Sequence, residues 1–372
     1  MSRNVLITGG AGFIGGHLAT ELLRHGYAVR ALDCLTSQVH GQHRQRPGYL
    51  NRDVELLTGD LRDETFVDQS VRGVDAVYHF AAAVGVGQSM YRIAEYTSMN
   101  NLATAVLLQA LSRRRVRRLI VASSMSVYGE GLYRASDGSF RERVQRTPKQ
   151  LTLGDWEIRD ENGFPLTPVP TPETKPPCLA SVYALSKFDQ EKMCQIVGAA
   201  YGIEVVALRF FNVYGPHQAL SNPYTGALVN FAARLMNGKP PLLFEDGRQQ
   251  RDFVSVYDAV RACRLALEKP EAAGGVFNVG SGKARSVREV ACLLGRVLGK
   301  GGLEPEVTGQ YRAGDIRHCF ADITLAWRVL GYEPGLELEP GVAGLAQWLE
   351  GQIARDRVAE ARSELASRGL VI

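Results

Sequence analysis

No stretch of about 18 consecutive apolar residues, the length a membrane span needs, occurs in this 372-residue chain. Its six cysteines, at positions 34, 178, 194, 263, 292 and 319, form no Cys-x-x-Cys pair and no framework spacing. That excludes a disulfide scaffold and fits a reducing cytosol. No leader-like segment precedes the first apolar run, so a cytoplasmic location is the expectation. Charge of one sign is also scarce, with a net charge of only +4. The one basic run, Arg113-Arg114-Arg115-Val116-Arg117-Arg118, has no aromatic platform beside it. It lies between an expected helix, Ala94 to Leu111, and a strand, where cations suit the helix's negative end. It is read as solvated helix-end charge, and no nucleic-acid partner is expected.

What is present is an apolar fraction of 45%, enough for a large core, and an orderly opening. Asn4-Val5-Leu6-Ile7-Thr8 reads as a buried parallel strand that runs straight into Gly9-Gly10-Ala11-Gly12-Phe13-Ile14-Gly15. Gly9 permits a tight turn, Gly12 lets backbone approach a pyrophosphate, and Gly15 lets the next helix pack closely. Phe13 and Ile14 open that helix, whose N–H groups and positive dipole end face the phosphates. A second strand from Ala28 ends on Asp33. An acid there accepts hydrogen bonds from a ribose diol and repels a 2′-phosphate, so NAD is favoured over NADP. A third unit ends at Asp60-Leu61, expected beside the adenine, with a turn role for Asp60 as the alternative. The fourth strand, Ala76 to Phe80, empties into Ala81-Ala82-Ala83, small residues that leave room for a flat ligand. His79 is read as a packing residue rather than a base.

The fifth strand, from Arg118, ends in Ser123-Ser124-Met125-Ser126, facing the same crevice. Further on stands Tyr183-Ala184-Leu185-Ser186-Lys187. Residues four apart share a helix face, so Tyr183 and Lys187 point together into a cleft. A neighbouring ammonium favours the phenolate and is expected to lower the tyrosine pKa. The pair then suits proton transfer from an alcohol. Ser124 is expected to share the substrate oxygen with Tyr183, and Ser123 to bond backbone.

Glycine loop, Asp33, the Ser124 region and Tyr183/Lys187 together resemble the extended short-chain dehydrogenase/reductase superfamily, and within it the nucleotide-sugar epimerase/dehydratase branch. The resemblance runs from about residue 3 to about residue 345. It implies an α/β fold, a doubly wound parallel Rossmann sheet with a smaller C-terminal substrate-binding part. It also implies a nucleotide-diphosphate sugar as substrate, bound NAD and a homodimer formed through helices at Ala94–Leu111 and Tyr183–Tyr201. Leu208-Arg209-Phe210-Phe211-Asn212 matches the branch's strand and loop, placing Asn212 at the sugar diphosphate. Asp246 to Val254 places Arg251 on the diphosphate, and Tyr311 to Arg317 adds Arg312 with Asp315. Either arginine has a surface ion pair as its alternative. Phe244 is expected to border the base. Cys319 matches a size gate opposite the sugar's C2 substituent, where a small residue makes room; a plain buried cysteine is the alternative.

Dehydratases of this branch carry an acid just after the serine. Here Met125 and Ser126 stand there, beside the sugar, and neither is a proton donor of suitable strength. That points to C4 epimerisation through a transient 4-keto sugar, resembling galactose-type 4-epimerases. A 4-ketosugar reductase, or a dinucleotide sensor without catalysis, are the rival readings. The stretch Ser126 to Tyr133 resembles a bacterial subgroup often assigned to deoxythymidine-diphosphate deoxysugars such as L-rhamnose.

Residues 1–205 are read as the NAD-binding domain and 206–350 as mainly the sugar-binding part, with some strands rejoining the main sheet. The interval 129–180 holds seven prolines, at 148, 165, 168, 170, 172, 176 and 177, and is read as an irregular insertion over the sugar site. Arg159 to Phe164 replaces the cysteine pairs that some bacterial relatives carry there, so no metal site is expected. The tail, 351–372, belongs to an amphipathic helix expected from Trp348 to Leu365.

Overall fold

A computed structural model describes residues 4–224 and 226–372. The main sheet begins with β1 (Asn4–Thr8), β2 (Ala28–Asp33), β3 (Glu55–Thr58), β4 (Ala76–His79) and β5 (Arg118–Ser124). Glu204–Phe210 and Val276–Val279 complete seven strands, all parallel. The order across the sheet is Val276–Val279, Glu204–Phe210, β5, β4, β1, β2, β3. The chain therefore leaves β1 in both directions, and the switch point falls between β1 and β4. Ligands of doubly wound sheets lie outside the strands' carboxyl ends at that point.

β1 shows why these residues make a central strand. Val5 and Ile7 join one core with Leu18, Leu22, Val260 and Leu267, while Leu6 joins another with Leu107, Leu111 and Val205. Both faces are covered by helices, so the strand needs apolar residues at every position. The expected doubly wound parallel sheet is present, and the strand Val276–Val279 rejoins it from late in the chain.

A third core, with Phe231, Leu235, Leu294 and Val342, belongs to the smaller part. Its centre is the strand Gln250–Ser255, which pairs with Asn212–Tyr214, Ala284–Ser286 and His318–Cys319.

Three expectations need correction. The insertion is ordered: Leu132–Arg134 pairs antiparallel with Phe140–Arg141 and with Thr167–Val169. Pro168 sits on the edge strand, and Pro148 opens the helix Pro148–Thr152, positions that need no N–H from proline. The tail is not one helix. Leu338–Leu349 and Val358–Ala366 are separate, because Asp356 turns inward to Lys239 at 3.0 Å and Ala354 O accepts from Asn237 Nδ2 at 2.8 Å. Ile353, on the expected apolar stripe, is instead 91% exposed. The basic run is not simply solvated. Arg118 is buried in β5 and donates to the carbonyls of Ala266, Leu267 and Lys269, while Arg114 pairs with Asp68 at 3.0 Å.

Candidate active site

A cleft of about 700 Å³ opens at the switch point, a usual size for a small-molecule site. Its wall includes Gly9, Gly12, Phe13, Ile14, Gly15, Asp33, Asp60, Leu61, Ala81 and Ala82 from the expected cofactor residues. Ser124, Tyr183, Lys187 and Asn212 line it as well.

The glycine turn fits a dinucleotide. Gly9 has φ +69°, and a Cβ there would lie 2.8 Å from Ala81 N, so the loops after β1 and β4 touch. A Cβ on Gly15 would lie 2.3 Å from Gly9 O. The helix Phe13–Arg24 starts at Gly12 with no side-chain cap, which leaves its first N–H groups to a phosphate. Asp33 does more than await a ribose. Its carboxylate accepts from Ala11 N at 3.1 Å and Leu35 N at 2.9 Å, bracing the turn. Asp60 is held by Arg62, whose guanidinium keeps its carboxyl below the usual range.

Ser181 caps the helix Val182–Tyr201 by accepting from Ala184 N. This places Tyr183 in the first turn and Lys187 one turn on, on the cleft side. Ser124 Oγ accepts from Ser126 N at 3.2 Å and from Ser126 Oγ at 2.9 Å. Its own proton is thereby left to donate, and Ser124 shares the cleft wall with Tyr183. Burial pushes the Tyr183 phenol up, and the nearby Ser124 hydroxyl works against that rise. Lys187 Nζ, one turn along, donates one of its protons to Gln190 Oε1 at 2.7 Å. Burial pushes the Lys187 ammonium itself down to about 8.

That shift has a measurable sign. Lys187 loses its proton near pH 8 when folded and near 10.5 at its ordinary value. Between those values the unfolded chain binds the extra proton, so the penalty from burying this ammonium fades as pH rises. Wild type compared with Lys187→Met should gain about 2 kcal/mol between about pH 7.5 and about pH 10, measured by urea unfolding. A constant difference would show that the ammonium is solvated.

Residues that the sequence did not single out complete the site. Asn100 lies in a π-helical segment, Thr97–Leu102, inside the expected continuous helix. Its amide bonds Ala83 N and O at 2.7 and 3.1 Å and Ser186 Oγ at 2.8 Å, tying the β4 loop to the tyrosine helix. The adjacent pair Asn100-Asn101 inside the expected helix was the available signal. His79 is fully buried among Thr8, Thr104 and Gln190. Burial and then Lys187 hold its pKa near 3, so it is a neutral packing group. Beneath Ser123, Glu191 and Arg209 form a buried pair at 2.8 Å.

The residues expected on the sugar and diphosphate divide. Asn212 reaches the wall, and its buried Oδ1 has no partner among the described residues. Met125, Ser126, Phe244, Arg251, Arg312, Asp315 and Cys319 stand outside the cleft lining. Arg251 spends its fork on the carbonyls of Gln250, Arg317 and Ile316. Arg312 stacks 4.7 Å over Phe244 and bonds Asp315 at 2.8 Å. Burial would raise the Asp315 pKa, but Arg312 and Arg251 hold it below the usual range. Cys319 is buried in a small core with Met125, Val127, Tyr128 and Phe211, its Sγ 3.9 Å from Thr171 Oγ1.

Residues 5–149 and 163–280 match the NAD dependent epimerase/dehydratase family, and the chain belongs to it. It is 32% identical to a dTDP-L-rhamnose 4-epimerase of Burkholderia thailandensis, over 95% of this chain and 96% of that protein. A solved UDP-glucose 4-epimerase of Thermotoga maritima with UDP-glucose superposes with TM-score 0.76 at 29% identity, covering 94% of this chain and 99% of that one. A Thermus thermophilus UDP-glucose 4-epimerase in complex with NAD gives 0.75 at 29% identity, over 94% and 100%. The family resemblance read from the motifs therefore stands, and with it the NAD cofactor. Among the described residues no helix is long and apolar enough to cross a membrane.

Proposed function

We propose that this protein interconverts the C4 epimers of a UDP- or dTDP-hexose. The observation that carries the reading is a base without an elimination acid. Ser124, Tyr183 and Lys187 share the cleft wall, while Met125 and Ser126 occupy the positions after the serine. Tyr183 takes the C4 hydroxyl proton while Ser124 steadies the same oxygen, and returns it after the sugar has turned. Bound NAD supplies the hydride acceptor and donor. No net oxidation occurs, so the cofactor stays in place through turnover. Asn212 Oδ1 accepts from the substrate, Arg312 holds the diphosphate with Arg251 behind it, and Phe244 borders the base. Asp315 orients Arg312. Cys319 and Met125 lie in the small core outside the cleft wall, so a size gate at Cys319 is no part of this reading.

The same reading includes a homodimer. Ile93 and Leu102 on one helical stretch and Leu185 and Ile196 on another stand exposed, and Asn101 Nδ2 joins the two stretches through Asp189 at 2.6 Å. Apolar faces of this kind are stable once a second copy covers them. All six cysteines are free thiols, which supports a cytoplasmic site of action.

The test is incubation with a panel of UDP- and dTDP-sugars without added cofactor, followed by NMR. The expected outcome is a new C4 stereoisomer at equilibrium with its partner. Product formed only with stoichiometric consumption of added NAD(P)H would make the protein a reductase instead.

A further inference from the structure

The tail makes contacts that nothing in the reaction so far uses. After the helix Val358–Ala366 the chain pairs antiparallel with the arm that carries Arg312. Tyr311 N donates to Ile372 O at 2.9 Å, Ile372 N to Tyr311 O at 3.0 Å, and Ala313 N to Leu370 O at 3.0 Å. Arg362 Nε adds a bond to Gln310 Oε1 at 2.8 Å. The arm has no helix or long strand of its own between Val307 and His318. The tail thus supplies the ladder that fixes Arg312's backbone.

The helix also reaches across to the other wall of the cleft. Leu365 is buried against Gly87, where a Cβ would lie 3.2 Å from its Cδ1. Arg368 sits 4.3 Å over the Tyr91 ring, and the Tyr91 hydroxyl bonds Tyr224, which donates to Glu364 at 3.1 Å. These contacts surround Val86–Ser89, whose Gln88 lines the cleft and whose Ser89 Oγ accepts from Tyr183 N at 3.0 Å. One segment therefore holds both the diphosphate arm and the turn behind the catalytic tyrosine.

We propose that residues 358–372 act as a positioning clasp, holding the Arg312 arm against the Tyr183 side of the cleft in the geometry that receives the nucleoside diphosphate. The proposal rests on the nucleotide-sugar reading above. Without the clasp, three backbone hydrogen bonds of the arm are lost and the arm must be ordered anew at each binding event. Ordering a loop on binding weakens affinity and leaves the chemistry once bound little changed. The clasp residues themselves touch neither reacting atoms nor the glycine turn.

Two variants test this: deletion of 358–372, and Leu365→Asp in the full chain. Binding of UDP and of dTDP to the NAD-loaded protein is measured by calorimetry, with KM and kcat for the converted sugar and the NAD content. The expected result is Kd and KM raised roughly tenfold or more, with kcat within about threefold of wild type and NAD content unchanged. If the deletion loses NAD, Leu365→Asp alone decides. Nucleotide affinity within about twofold of wild type in Leu365→Asp overturns the clasp. So does a parallel loss of NAD in both variants, which would make the tail a general folding element. Wild type that binds neither nucleotide overturns the underlying epimerase reading, and the clasp with it.

Discussion

Tyr183→Phe should lower kcat by roughly 100- to 10,000-fold, the usual worth of a positioned acid–base group, while the protein still carries NAD. The phenylalanine ring keeps the volume, so the helix cap at Ser181 and the bond from Tyr183 N to Ser89 Oγ survive. Only the oxygen goes, and with it the acceptor for the C4 proton. Ser124 cannot take over. Its Oγ already accepts twice from Ser126, which leaves it a donor. His79 is no substitute either, since its ring is fully buried and engaged on both nitrogens. Initial rates of C4 interconversion by NMR, together with nucleotide released on denaturation, provide the measurement. A loss below about tenfold would remove Tyr183 from the role of base. Loss of NAD along with activity would mean that the hydroxyl is a cofactor anchor first.

The parts of this site that the sequence reveals are those whose chemistry is carried by near neighbours. Gly9, Gly12 and Gly15 act within one turn, and Asp33 and Ser124 end strands whose apolar runs announce them. Tyr183 and Lys187 are one helical turn apart. Asn100 escapes because its function depends on a π-helical offset and on Ala83, neither of which a periodicity shows. The ordered insertion escapes because its strands pair across about thirty residues, Leu132–Arg134 with Thr167–Val169. A proline-rich composition conceals such pairing. The contact from Lys187 to Gln190, three residues further along the same helix, escapes as well, because a glutamine at that spacing announces no particular partner. The diphosphate arm is similar. Its arginines were legible as residues, but their engagement with Asp315, Phe244 and backbone carbonyls is a property of the folded chain.

Arg317→Met should lower the unfolding free energy by about 3–5 kcal/mol, the largest stability effect expected in this chain. The side chain is fully buried, and its fork meets Glu245 Oε2 at 2.8 Å, Asp246 at 2.6 and 2.9 Å, and Glu157. Glu157 comes from the insertion, and so does Arg146, which holds the other oxygen of Glu245 at 2.6 Å. These charges stand at 146, 157, 245, 246 and 317, and they pin the insertion to the substrate-binding part. Removing Arg317 leaves Glu245 buried with a single cation, and burial already pushes that carboxyl's pKa up. An uncompensated buried charge costs more than the lost contacts alone. Two consequences separate this from a surface effect. The loss should persist at high salt, because buried pairs are little screened. Adding Glu245→Gln to Arg317→Met should recover part of it, a coupling that independent sites would not show. Urea unfolding of the four proteins of this cycle measures both. A cost for Arg317→Met below about 1 kcal/mol, typical of exposed pairs, would mean that water reaches the cluster and that the insertion is held by its packing instead.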